Sequence, residues 1–255
     1  MTTSQRLTGT VALVTGASSG IGEASALALA QHGAAVAIAA RRKDRLDALA
    51  ARIADGGGTA LAIEADVTSE EQAEALVRQT VAGLGRLDTL INNAGVMLLG
   101  PIVDAPLQEW ERMIDLNVKG LLYCAHAALP HLLSAAQDSP RKVADMVNIS
   151  SVAGRVARSG SGVYNATKWG VGAFSESLRQ EVTRRHVRVS LVEPGAVATE
   201  LVSHNRPEIR ERLAGGDDFE RMESEDIADA IAYIVTRPWR MAVNEMLIRP
   251  TEQER

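Results

Sequence analysis

Tyr164 and Lys168 stand four residues apart in Tyr164-Asn165-Ala166-Thr167-Lys168, a spacing that puts both side chains on one face of a helix. The chain has three tyrosines and four lysines, and chance supplies only about 0.05 such pairs. A phenol titrates near pH ~10, and a neighbouring ammonium favours its ionised form, bringing proton exchange toward working pH. A tyrosine stem packed beside a snorkelling lysine is the plainer alternative. Ser151 lies 13 residues before Tyr164, at the end of Asn148-Ile149-Ser150-Ser151. Its hydroxyl would hold a carbonyl oxygen as charge develops there, or it is simply a cap or turn. Together the three side chains offer what a carbonyl needs to become an alcohol: a proton donor and a hold on the oxygen.

A second cluster precedes the first helix, in Thr15-Gly16-Ala17-Ser18-Ser19-Gly20-Ile21-Gly22. Glycines let backbone approach a pyrophosphate, and the helix N-terminus supplies free N–H groups. Gly16, Ser18, Ser19, Gly20, Ile21 and Gly22 are therefore candidate dinucleotide contacts. The spacing is Gly-x-x-x-Gly-x-Gly, and no Gly-Lys-Ser/Thr follows to make it a nucleoside-triphosphate loop. An NAD site would carry Asp or Glu after the second strand. Here Ala40 is followed by Arg41 and Arg42, whose guanidinium groups suit a 2′-phosphate, so the expected cofactor is NADP(H). A solvated basic helix start is the competing account. Asp66-Val67 reads either as an adenine contact or, at Asp66, as a helix N-cap. Asn93-Ala94-Gly95 reads as a close pass beneath the cofactor or as a plain turn.

These residues need a scaffold. Short apolar runs at Val11–Thr15, Ala35–Ala40, Ala60–Glu64, Thr89–Asn92, Ala144–Ile149, Val187–Val192 and Glu245–Ile248 read as strands. Helical spacing fills the stretches between them, and one long pattern runs from Trp110 to about Ser134, where Pro130 should kink or end it. Continuous apolar strands alternating with helices predict an α/β, doubly wound parallel sheet in one domain over 1–255. Ligands in such sheets bind beyond the carboxyl ends of the strands, where every motif above lies.

Composition narrows the class. Net charge is −5 and the chain has eight aromatics, which points away from nucleic acid and anionic membranes. One cysteine excludes an internal disulfide and suits a reducing cytoplasm. No cysteine–histidine cluster has ligand spacing, so no metal is expected.

In order and approximate spacing, TGASSGIG, NNAG, Asn117, the second serine of NISS, YNATK and Pro194-Gly195 resemble the short-chain dehydrogenase/reductase family over nearly the whole chain. The resemblance implies an NADP(H)-dependent reductase or dehydrogenase acting at a carbonyl or alcohol carbon. Tyr164 would be the general acid/base, Lys168 would lower its pKa and bind the nicotinamide ribose, Ser151 would position the oxygen, and Asn117 would hold a relay water. Pro194-Gly195 and Thr199 would run along the nicotinamide carboxamide. The end of the chain, VNEMLIRPT, lacks the family's frequent Asp-Gly-Gly strand, which weakens a likeness to 3-oxoacyl reductases. The chain is similar instead to NADP-dependent 3-hydroxy-acid (serine-type) dehydrogenases and, more closely, to clavulanate-pathway aldehyde reductases, on VAIAARR, VMLLGP, AGRV, AFSE-LRQEV and IRPT. Residues 197–224, around Gly215-Gly216, read as a mobile substrate lid or as an interdomain or subunit contact. Arg155 and Arg158 read as surface charges, with one of them facing a substrate carboxylate as the weaker alternative. The helices at 110–134 and 163–184 would make a homotetramer or dimer. The non-enzymatic alternative is an NADP-sensing protein on the same fold.

Overall fold

The computed structural model describes residues 6–254, apart from Asp104 and residues 215–218. Its strands are β1 (Val11–Thr15), β2 (Ala35–Ala40), β3 (Thr59–Glu64), β4 (Thr89–Asn92), β5 (Ala144–Ile149), β6 (Val187–Pro194) and β7 (Glu245–Ile248). The helices are α1 (Gly20–Gln31), α2 (Lys43–Asp55), α3 (Glu70–Leu84), α4 (Leu107–Ile114), α5 (Leu121–Asp138), α6 (Gly162–Val182), α7 (Pro207–Ala214) and α8 (Ser224–Val235). Every strand pairing is parallel, in the order β3-β2-β1-β4-β5-β6-β7. Strand order reverses at β1, so a crevice opens above the carboxyl ends of β1 and β4.

The hydrophobic pattern explains the layers. Leu13 of β1 enters one core, while Ala12 and Val14 enter the other. This is the two-residue alternation of a strand covered on both faces. The first core takes Leu76 of α3, Leu132 of α5 and Leu178 of α6; the second takes Leu29 of α1, Leu46 of α2 and Ile231 of α8. Near the amino ends of β5 and β6, buried Asp145 is held by Arg188 through bonds of 2.6 and 3.0 Å. Arg141 pairs with the same carboxylate at 2.9 Å, so that buried charge is fully partnered. The open, reactive edge is the opposite one.

The long helical pattern departs from expectation. It starts at Leu107, passes through a π-helical stretch at Asp115–Gly120, and continues through Pro130 to Asp138. Pro130 therefore does not end the helix. It lies on the exposed side, where water can meet the His126 carbonyl that loses its donor, while Leu132, Ala135 and Ala136 anchor the following turns in the core. Residues 197–224 contain a 3-10 turn at Glu200–His204, helix α7 and a bridge between Val197 and Met222. Gly215 and Gly216 lie outside the described residues.

Candidate active site

A cavity of about 640 Å³ lies along the carboxyl edge of the sheet, from Arg41 and Arg42 at one end to Tyr164 and Arg158 at the other. At its centre the glycine turn is locked to the turn after β4. Gly16 has φ +66°, and a Cβ there would stand 2.8 Å from the Ala94 Cα. A side chain at Gly22 would collide with the Gly16 carbonyl and the Asn93 amide. Asn93 Nδ2 donates to the Thr15 carbonyl at 2.9 Å and to the Gly16 carbonyl at 3.3 Å. Thr15 Oγ1 accepts from the N–H groups of Asn93 and Ala94, both at 3.1 Å. Asn93 thus spends its amide hydrogens bracing the turn, which leaves the first N–H groups of α1 pointing at the cavity.

Gly16, Ser18, Ser19, Gly20, Ile21, Arg41, Arg42, Asp66, Val67, Asn93, Ala94 and Gly95 all line this cavity. So do Ser151, Tyr164, Lys168, Pro194, Gly195 and Thr199. Gly22 and Asn117 stand just behind it. Asp66 is not the cap of α3: that is Ser69, which accepts from Gln72 N. Asp66 Oδ1 instead accepts from Thr68 N at 3.0 Å and Thr68 Oγ1 at 2.8 Å.

At the reacting end, Tyr164 and Lys168 are both buried, one turn apart on α6. Lys168 Nζ donates to the Ile149 carbonyl at 2.8 Å and lies 5.9 Å from the centre of the Tyr164 ring. Burial pushes the Tyr164 phenol up to about 12, against a smaller lowering by its hydrogen bond with Ser151. Burial likewise pulls the Lys168 ammonium down to about 8. The expected depression of the phenol by Lys168 does not appear: desolvation dominates, the Ser151 hydrogen bond alone opposes it, and the ammonium bonds a carbonyl rather than the phenol. Ser151 is held in turn by Ala153 N, which donates to its Oγ at 3.1 Å.

Asn117 sits in the π-helical stretch and is buried. Its Oδ1 accepts from Val96 N and its Nδ2 donates to Val96 O, both at 2.8 Å, with Thr167 Oγ1 at 3.2 Å from Nδ2. The side chain therefore fixes the segment after β4, and a relay water would have to use the main chain here. Arg155 reaches Glu193 Oε1 at 2.7 Å and Glu245, tying the loop after β5 to the last two strands; it is absent from the cavity wall, whereas Arg158 is on it.

Three contributors escaped sequence reasoning. Asn205 Oδ1 accepts from Leu99 N at 2.7 Å, and its Nδ2 donates to Met97 O at 2.9 Å. Gln253 Oε1 accepts from Ala196 N at 2.9 Å and fills the space beside Gly195. Glu200 pairs with Arg42 and Arg45. None lies in a recognisable motif; a single amide or carboxylate in a loop carries no spacing signal.

A family model described as short chain dehydrogenase matches residues 10–210. An uncharacterised oxidoreductase of Staphylococcus aureus is 37% identical over 244 residues, covering 96% of this chain and 98% of that one. Among solved structures, the closed form of a serine dehydrogenase complexed with NADP+ is 31% identical with a TM-score of 0.86, covering 96% of both chains. An alcohol dehydrogenase from the archaeon Thermococcus sibiricus complexed with 5-hydroxy-NADP is 27% identical with a TM-score of 0.85, covering 96% of this chain and 98% of that one.

Proposed function

The chain belongs to the short chain dehydrogenase family, and from that premise we propose that it is an NADP(H)-dependent oxidoreductase acting between a carbonyl and an alcohol. The observation that carries this reading is the pair of buried side chains, Tyr164 and Lys168, at the end of a cavity that also holds Ser151. Arg41, Arg42 and the absence of an acid at the end of β2 suit the 2′-phosphate of NADP(H). The solved relatives bound to NADP+ and 5-hydroxy-NADP support the same choice.

The nicotinamide, when bound, supplies or accepts the hydride. The chain supplies the rest. Tyr164, neutral at working pH because burial raises it, donates its phenolic proton to the oxygen of a carbonyl under reduction. Ser151 holds that oxygen, and the fixed orientation of its hydroxyl stabilises charge there. Lys168 keeps a positive charge beside the phenol below about pH 8 and holds the ribose. Asn117 keeps the loop after β4 in register, so that the wall under the ring cannot drift.

Aldehydes or ketones are the proposed substrates, with Met97, Leu99, Val152 and Val156 as the apolar wall. A 3-hydroxy acid is the second reading, favoured by Arg158 on the cavity wall and by likeness to the serine dehydrogenase. The likeness to clavulanate-pathway aldehyde reductases rests on VAIAARR, VMLLGP, AGRV, AFSE-LRQEV and IRPT alone. We further propose one domain over 1–255 with residues 197–224 as the lid, in a cytoplasmic homo-oligomer, a tetramer or dimer. The exposed Leu107, Ile114 and Trp169 of α4 and α6 support the oligomer.

NADPH consumption across aldehydes, ketones, 3-oxo acids and 3-oxoacyl thioesters tests the proposal. Turnover that depends on Tyr164 supports it, and the best substrate ranks the classes. Silence across the panel with NADPH still bound would favour a sensor.

A further inference from the structure

Glu200 follows Thr199 in the segment after β6 and reaches across the groove to the corner after β2. Its Oε2 accepts from Arg42 Nη1 at 2.8 Å, and its Oε1 accepts from Arg45 Nη1 at 2.7 Å. Arg42 sends Nε and Nη2 to Ser18 Oγ at 3.0 and 2.9 Å, and Nη2 to Ser19 Oγ at 2.7 Å. Those bonds and the one to Glu200 use all but one of the N–H groups of this guanidinium. Ser18 and Ser19 act only as acceptors toward Arg42, so their own O–H hydrogens stay available to an anion.

A carboxylate between two guanidinium groups, beside two serine hydroxyls, is an anion site whose anion belongs to the chain. It lies where the cofactor reading puts the 2′-phosphate. We infer that Glu200 is an internal stand-in for that phosphate, which must displace it from Arg42 in order to bind, so that Glu200 sets the affinity for NADP(H). The inference rests on the NADP(H) reading above.

Simultaneous sharing is disfavoured because two anions on one guanidinium repel. Arg45 offers the alternative position. It holds the other carboxylate oxygen and is not on the cavity wall, so Glu200 can keep Arg45 while it yields Arg42. The Glu200 side chain is 42% exposed, which leaves it room to move. The hydrogen bonds from Arg45 and Arg42 hold its carboxyl down at about 2, so the competitor stays charged throughout the working range.

The test is calorimetric titration of the whole protein with adenosine 2′,5′-bisphosphate and with 5′-ADP. In Glu200→Gln, the bisphosphate should bind roughly fivefold tighter, the scale of one exposed ion pair, while 5′-ADP is unaffected. Thermal melting checks that the variant is folded. Unchanged binding of the bisphosphate would overturn the inference. Weaker binding would also overturn it, and would make Glu200 a strap that closes over the phosphate. If neither the unmodified protein nor Glu200→Gln distinguishes the two nucleotides, the NADP(H) reading itself falls and the inference falls with it. Discrimination that survives without a response to Glu200→Gln sinks the inference alone.

Discussion

The ammonium of Lys168 stands 5.9 Å from the centre of the Tyr164 ring, but its hydrogen bond goes to the Ile149 carbonyl at 2.8 Å. The lysine therefore faces the phenol as a charge rather than as a bonded partner. Buried beside it, Tyr164 is an acid that stays protonated until about pH 12. Replacing Tyr164 by Phe removes one oxygen and keeps the ring. Carbonyl reduction should fall by about 10²- to 10⁴-fold, the usual worth of a positioned proton donor. NADPH binding, followed by fluorescence, should stay near that of the unmodified protein. Near-normal turnover in Tyr164→Phe would remove the tyrosine from the chemistry.

Lys168 should give the reaction its alkaline limit. Its ammonium is held down to about 8 by burial, so the charge beside the phenol is lost as pH rises through that value. In reduction the phenol is already in its reactive form, and kcat should be level below pH 8 and fall above it. Oxidation of an alcohol needs the phenolate, so its rate should rise with pH over the neutral range. Paired pH profiles in the two directions check this. A reduction rate that climbs steadily through pH 8 would contradict it.

The same burial makes Lys168 costly to the fold. Its folded pKa of about 8 lies below the ordinary 10.5, a gap worth about 3 kcal/mol against the ionised folded state. Below pH 8 both states are protonated and the whole cost is present. Between 8 and 10.5 the folded state sheds its proton first, so stability recovers as pH rises. Lys168→Met should remove the cost, less about 1 kcal/mol for the lost bond to Ile149. In urea at pH 7 the variant should be more stable by about 2 kcal/mol, with the advantage fading toward pH 10.5. It should also be inactive. An equal or lower stability at pH 7 would mean that Lys168 is better solvated than its burial implies.

Cofactor choice should turn on Arg42 more than Arg41. Arg42 bonds Ser18 and Ser19 in the glycine turn, whereas Arg41 is exposed and makes no comparable contact among those described. A charged hydrogen bond to a phosphate is worth about 1.5–3 kcal/mol. Arg42→Ala should weaken NADPH binding by about 10- to 100-fold and NADH binding far less. Arg41→Ala should have the smaller effect. Equal losses for both cofactors in Arg42→Ala would end the phosphate reading.

Fold and motif residues were legible because their signals are local. Val11–Thr15 is apolar because it is covered on both faces, and Gly16 and Gly22 are glycine because a side chain would strike the neighbouring turn. The seven strands follow from that logic almost to the residue. What remained hidden depends on contacts distant in sequence. The π-helical stretch around Asn117 adds an extra residue to a helical turn, and no residue type there announces it. Arg155 and Arg158 look alike in sequence, yet only the position of Glu193 on β6 and Glu245 on β7 sends Arg155 away from the cavity. The Tyr164 phenol is raised rather than lowered for the same reason. Spacing on a helix shows that Lys168 is near, but not that Ile149 takes its hydrogen bond or that water is excluded.

Asn205 offers a test of the substrate side alone. It grips Leu99 N and Met97 O, one segment along from Asn117, which grips Val96. The loop after β4 is thus pinned twice, once by α4–α5 and once by the segment that leads to α7. Asn205→Leu keeps the branched shape and loses every hydrogen bond, leaving two loop groups without their partner. The penalty is about 1–3 kcal/mol for each polar group that water cannot reach, and the loop escapes it by moving outward. Such movement shifts Met97 and Leu99, which form the apolar wall, and leaves the glycine turn and Arg42 in place. KM for the carbonyl should rise roughly tenfold or more while the Kd for NADPH is unchanged. A matching loss of NADPH affinity would show that the segment serves the cofactor instead.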